Sequence, residues 1–398
     1  MTDIPTEDPS IMINLSKIVR MALNPEALAT DIHLTVGQPP IFRIHGDLVP
    51  QGDTPLTAED TYAVAAHLAT KEQLEIMQQV GESDFATTFE ELVRIRCNIF
   101  LQQGSPALAL RLLPTRIPSA EELRLPEIIL QQADKPRGLV LVTGPTGSGK
   151  SSTLAALIDR VNHTSARHIL TLEAPIEYVH HGDKCVINQR EVGEDTRSFA
   201  SGLRAALRQD PDVILVGEMR DPETISTAIT AAETGHLVFG TLHTKGATGT
   251  IDRIIDSFPS DQQNQIRTQL AEVLECSISQ TLLKKADGKG RVAAFEIMLA
   301  TPGVRSQIRQ EKTAQLVSQM QSDQKLGSRL LDDELRSLVK EKKLITAEAA
   351  LAAANDPARL REALGMAAEV RPLPGARMGA PAGQVPEKPK PKFGFGGY

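Results

Sequence analysis

Gly144-Pro145-Thr146-Gly147-Ser148-Gly149-Lys150-Ser151 is the stretch on which the fold turns. The apolar run Leu139-Val140-Leu141-Val142 precedes it, and Leu154, Leu157, Ile158 and Val161 follow at helical spacing. The order is therefore strand, glycine-rich loop, helix. In that context backbone N–H groups and a helix N-terminus converge on one point and make a phosphate cradle. Gly144, Gly147 and Gly149 let the backbone curl with no Cβ in the way, and Lys150 reaches toward β- and γ-phosphates. Ser151 offers the hydroxyl that a bound Mg²⁺ takes, and Pro145, Thr146, Ser148 and Ser152 complete the binding stretch.

Downstream, short apolar strands alternate with amphipathic helices. Ile169 to Leu172 ends in Glu173-Ala174-Pro175-Ile176-Glu177, Val213 to Val216 ends in Gly217-Glu218, and Leu237 to Leu242 ends at His243. Continuous apolar strands of this kind belong to a parallel sheet covered on both faces. Ligands of such sheets bind at the carboxyl ends of the strands, so Glu173, Glu218 and His243 are expected beside the loop. Asp221 and Pro222 open a helix that Gly235 closes. A hairpin is expected around Asp287-Gly288, and residues 303–365 read as all-helical.

Upstream, the period changes. Ile11 to Leu23 has helical spacing, whereas Asp31 to Leu34 and Ile41 to His45 alternate as strands do. Two helical segments precede three more alternating runs, 83–89, 92–100 and 107–113, which together make a small α+β domain. Arg94 and Arg96 fall on one side of their strand, and Arg111 lies on the next. The expected organisation is an N-terminal domain over 1–115, a proline-marked linker over 116–136 and a nucleotide domain with C-terminal helices over 137–368. A Pro/Gly-rich disordered tail over 369–398 completes it.

The chain has 398 residues, enough for two or three domains. Aromatic residues make up 3%, with no Trp, so the core must rest on aliphatic side chains. A formal charge of −7 argues against nucleic acid as the main partner. Cys97, Cys185 and Cys276 stand far apart and suggest neither zinc nor a disulfide framework. No run of some 18 apolar residues and no secretory signal is present, which places the expected site of action in the cytoplasm.

Phosphoryl transfer to water needs a metal, a cradle, a group to orient or deprotonate water, and positive charge on the γ-phosphate. Glu218 stands where a Walker B acid would hold Mg²⁺ through water, and Glu173 is the better-placed base. His243 can contact the γ-phosphate, and the arginines of residues 94–111 could reach it from another subunit.

Four motifs stand in order: the loop through Thr153; Ile169 to Tyr178; Asp212 to Asp221; and Thr230 to Thr244. Together they resemble the phosphate loop, Asp box, Walker B and His box of the secretion ATPases of the type II and type IV pilus superfamily, within it the retraction branch. The resemblance implies an α/β protein with a PAS-like N-terminal domain, a RecA-like P-loop NTPase domain and a helical C-terminal portion. It implies a homohexamer using ATP and Mg²⁺ at subunit interfaces, docked on an inner-membrane pilus platform protein at the cytoplasmic face. Glu173 would be the base, Glu218 the Mg²⁺-associated acid, His236 and His243 the His-box pair, and Arg96 and Arg111 the arginines sent across from the N-terminal domain. Residues 302–310 resemble the branch's C-terminal retraction motif.

Two departures stand out. Ala174 occupies the place of an Asp, so a contact supporting Glu173 is expected to be lost, which leaves room for a weakly hydrolysing, nucleotide-gated scaffold. Ser306, Gln307 and Gln310 replace Asn, Leu and Glu in the C-terminal motif, leaving an auxiliary retraction ATPase or another secretion-system ATPase as alternatives.

Overall fold

The structure, a computed structural model, describes residues 9–24, 29–44, 46–113 and 116–367. The expected tail over 369–398 and the first eight residues lie outside the described residues. Two sheets organise the chain, one antiparallel and one largely parallel.

The N-terminal unit runs α1 (Pro9–Ala22), β1 (Ala29–Leu34), β2 (Ile41–Ile44), β3 (Asp47–Pro50), α2 (Ala58–Leu68), α3 (Lys71–Val80), β4 (Glu82–Phe89), β5 (Val93–Gln102) and β6 (Ser105–Leu112). Thr57 with Asp60 and Thr70 with Gln73 form capping boxes that start α2 and α3, and Gly81 in the left-handed region ends α3. The strands assemble in the order β3-β2-β1-β6-β5-β4. One face buries Ile32, Phe42, Leu110, Cys97 and Phe85. The other carries Arg43, Asp31, Arg111 and Arg96 in one cross-strand row, because directly opposed residues share a face.

The second unit begins with α4 (Glu127–Leu130), β7 (Gly138–Thr143), α5 (Lys150–Thr164), β8 (His168–Glu173), β9 (Val186–Glu191), α6 (Phe199–Ala206) and β10 (Val213–Val216). It continues with α7 (Pro222–Glu233), β11 (Leu237–Leu242), α8 (Gly249–Asp256), α9 (Ser260–Val273), β12 (Leu274–Lys284) and β13 (Arg291–Leu299). The sheet order is β13-β12-β7-β11-β10-β8-β9, parallel except for β13 at the edge. Two apolar clusters cover its faces, as the continuous apolar strands require. Helices α10 (Pro302–Arg309), α11 (Leu316–Ser322), α12 (Leu331–Lys340), α13 (Ala347–Ala353) and α14 (Pro357–Leu364) complete the C-terminal portion. The last three enclose a small core with Leu283, Val292 and Ala294 from the edge hairpin.

Two elements depart from expectation. Ile266, Leu270, Val273 and Leu274 stand at helical spacing in the sequence, yet Leu274 begins β12, which pairs with β7 from Leu274 opposite Leu139 onward. Burial beside the central strand outweighs the helical spacing there. β9 is an edge strand of sequence Val186-Ile187-Asn188-Gln189-Arg190-Glu191, too polar to announce itself as a strand of this sheet.

Candidate nucleotide site

The phosphate loop springs from the carboxyl end of β7, whose neighbours are β11 and β12. β10 and β8 follow β11 in parallel register, with Val216 opposite Gly240 and Leu172. Strands lie about 5 Å apart, so His243, Glu218 and Glu173 line one edge of the sheet in that order from the loop.

The loop's conformation demands its glycines. Gly144 has φ 138° and Gly149 φ 90°, and a Cβ on Gly144 would fall 2.3 Å from the carbonyl oxygen of Gln280. A Cβ on Gly149 would fall 2.8 Å from Gln280 Nε2. Gln280, buried on β12, is thus the floor of the loop, and its Oε1 accepts a 2.8 Å hydrogen bond from Thr153 Oγ1. Above that floor, α5 starts with no side-chain cap, so its first N–H groups remain available to an anion. Ser148 Oγ is buried with no hydrogen-bond partner. Lys150 Nζ donates to the carbonyls of Gly144 at 2.9 Å and Pro145 at 3.1 Å; burial lowers its pKa against the pull of Glu218 and Glu177. Pro145, Thr146 and Gly147 form the exposed rim, and Ser151 lies in the first turn of α5. An orphaned hydroxyl, an uncapped helix N-terminus and a glycine cradle fit a polyphosphate chain.

Glu173 closes β8 and is largely withdrawn from water, which pushes its carboxyl up to about 7 against three stabilising hydrogen bonds. Those come from Thr171 Oγ1 at 2.7 Å, from Gln189 Nε2 at 3.1 Å and from the backbone of Glu177. Such a carboxylate is matched to taking a proton near neutrality. Glu218 pairs with His243 Nε2 at 3.0 Å and with Arg220. Ser152, the last member of the binding stretch, shares a 2.7 Å hydrogen bond with Tyr178 and so ties α5 to the segment after Glu173.

The remaining candidates are placed elsewhere. His236 precedes β11, its Nδ1 beside the Ala231 carbonyl and its own carbonyl accepting from Gly138 N–H. It therefore sits on the opposite edge of the sheet from His243, about 20 Å away along the strand, and touches nothing of the loop. Arg96 pairs with Asp84 at 2.7 Å and Arg111 with Asp31 at 2.9 Å, both on the outward face of the N-terminal sheet. The sequence leads one to expect these arginines to act from a second subunit. Within one chain, however, Arg96 already feels the charges of Glu177 and Glu191, which add to the raising effect of Asp84. Arg94 goes further and binds Glu191 directly at 2.7 Å.

Comparison with known proteins closes the question of ancestry. A family model described as type II/IV secretion system protein matches residues 6–363. The chain belongs to that family. Over 337 residues it is 48% identical to the type IV pilus retraction ATPase PilT of Pseudomonas aeruginosa, covering 85% of this chain and 97% of the relative. A twitching motility protein of Neisseria gonorrhoeae is 50% identical over 311 residues, 78% of this chain and 83% of its own. The crystal structure of the pilus retraction motor PilT with bound ADP superposes with a TM-score of 0.80 at 48% identity, covering 87% of this chain and 98% of that one.

In this family member several site residues escape a reading of the sequence alone. Glu177 interacts electrostatically with both Lys150 and Glu173, and its place in the Glu173-Ala174-Pro175-Ile176-Glu177 run was the signal for it. Gln189 and Gln280 carry no comparable signal. They reach the site because β9 and β12 lie beside β8 and β7.

Proposed function

We propose that this chain is an ATPase that hydrolyses ATP with Mg²⁺ to drive retraction of a type IV pilus. The observation that carries the chemistry is Glu173, poised near 7 and on the same sheet edge as the phosphate loop. In this reading Glu173 draws a proton from the attacking water. Lys150 and the first N–H groups of α5 bind the phosphates, and Arg96 and Arg111 meet the charge that develops on the γ-phosphate. Ser151 and Glu218 would hold Mg²⁺, which when bound neutralises phosphate charge. Hydrogen bonds from Thr171 and Gln189 support Glu173 without any help from position 174, so Ala174 does not by itself favour an idle scaffold. Likeness to PilT supports the output, and the homohexameric ring and docking on the pilus platform at the cytoplasmic face are what the family resemblance implies. No helix among the described residues is long and apolar enough to cross a membrane, so attachment to that platform falls to a surface of the protein.

The output is tested in a deletion strain. Excess surface pili with lost twitching is the expected result; loss of pili would overturn retraction and point to assembly. The chemistry is tested with Lys150→Ala. Wild-type turnover no faster than that variant's would overturn the motor and favour the scaffold.

A further inference from the structure

Glu173 has to be held still if it is to meet one water, yet it ends its strand, and residues 174–177 leave the sheet as an irregular segment. The backbone N–H of Ile176 donates to Glu191 Oε2 at 3.1 Å. The carbonyl of the same residue accepts from Arg94 Nε at 2.9 Å. Arg94 Nη2 then donates to the same Glu191 oxygen at 2.7 Å. Both backbone groups of Ile176 are therefore tied to one ion pair, whose acid belongs to β9 and whose base belongs to the N-terminal sheet. Backbone hydrogen bonding fixes the other end, from Val192 N–H to the Glu173 carbonyl at 2.8 Å.

We propose that Arg94 is a positioning residue of the hydrolytic site, clamping the segment between Glu173 and Glu177 from the N-terminal domain of the same chain. The pair is shielded: the Arg94 side chain is 21% exposed and that of Glu191 7%. Shielded, charge-assisted bonds are strong, and removing one partner leaves the other charge stranded. The two acceptors require a planar fork with donors in fixed relation, which a lysine ammonium cannot reproduce. Arg94 therefore differs from its neighbours Arg96 and Arg111, which pair only with acids of their own sheet. It also differs from another cross-domain hydrogen bond, Gln73 Nε2 to Glu194 Oε1 at 3.0 Å, which is exposed and touches nothing of residues 174–177. Through Arg94, any movement of the N-terminal sheet relative to β9 is passed to Glu173 and Glu177.

This inference rests on the hydrolytic reading, and its test has one arm that does not. Full-length Arg94→Ala, Arg94→Lys, Glu191→Gln and Glu194→Ala are compared by ATP hydrolysis against pH, by affinity for a fluorescent ATP analogue and by amide hydrogen exchange. Arg94→Ala and Glu191→Gln are expected to lower kcat about tenfold to a hundredfold, the scale of a small misplacement of a catalytic group. They should shift the acid limb of the pH–rate profile, leave analogue affinity near wild type and speed exchange across 173–178. Arg94→Lys should recover little, and Glu194→Ala should behave as wild type. An unchanged kcat and acid limb in both Arg94→Ala and Glu191→Gln would overturn the proposal. So would an equal effect of Glu194→Ala, because that would reduce Arg94 to an ordinary domain staple. If the wild type does not hydrolyse ATP, the proposed function falls, and unchanged exchange at 173–178 in the folded variants would still overturn the clamp.

Discussion

Glu173 shows how one carboxyl group joins stability to chemistry. Its ordinary value is 4.5, and burial raises it to about 7 in the folded chain. Between those values the folded state holds a proton that the unfolded state has lost, so stability falls as pH rises through that window. At pH 8 the buried charge is present in full, with a ceiling of about 3 kcal/mol on its penalty. Glu173→Gln is therefore expected to raise the melting temperature at pH 8 and to leave it near wild type below pH 4.5, as followed by circular dichroism. A loss of stability at pH 8 would show that Thr171 and Gln189 favour the ionised form more than burial opposes it. Glu173 and Glu218 were legible as candidates because a polar residue ending an apolar strand has one place to go. Gln189 and Gln280 were not, since nothing in a glutamine marks it as the floor or the brace of a site.

At the level of elements, the phosphate loop is shaped by what lies beneath it. β12 brings the Gln280 carbonyl under Gly144, while nothing lies within 4 Å of a Cβ on Gly147. Both glycines have positive φ, so an alanine at either is strained by roughly 1–2 kcal/mol. Only Gly144→Ala must also displace backbone, and it is expected to lower the apo protein's denaturant midpoint clearly more than Gly147→Ala. Equal losses would mean that β12 yields to the loop. The order strand, loop, helix and the alternation that follows could be read from the chain because apolar spacing is set by burial. β9 and the start of β12 could not. A polar edge strand has no apolar run to display, and the stripe of α9 runs on into Leu274, where pairing with β7 takes over.

The whole molecule brings Arg94 of the N-terminal sheet onto Glu191 and the segment that follows Glu173. The family resemblance sends Arg96 and Arg111 to a neighbouring subunit, and within the single chain Arg96 also lies in the field of Glu177. Mixing Lys150→Ala chains with Arg96→Ala chains distinguishes the two. Delivery within a chain leaves every intact loop with a missing arginine, so no activity should return in the mixture. Recovery of a substantial fraction of wild-type hydrolysis would place the arginine across a subunit boundary. His236 likewise shows why sequence order misleads at this scale, since the six residues of β11 carry it to the far edge of the sheet from His243.

The most direct test of the hydrolytic site is a comparison of full-length wild type and Glu173→Gln by ATP hydrolysis and by binding of a fluorescent ATP analogue, both at pH 8. Loss of a general base lowers rates by about 10²–10⁴-fold, so turnover should fall by that order while analogue affinity stays within a few-fold of wild type. Hydrolysis by Glu173→Gln at the wild-type rate would contradict the assignment of Glu173 as the base and, with it, the site described around the phosphate loop.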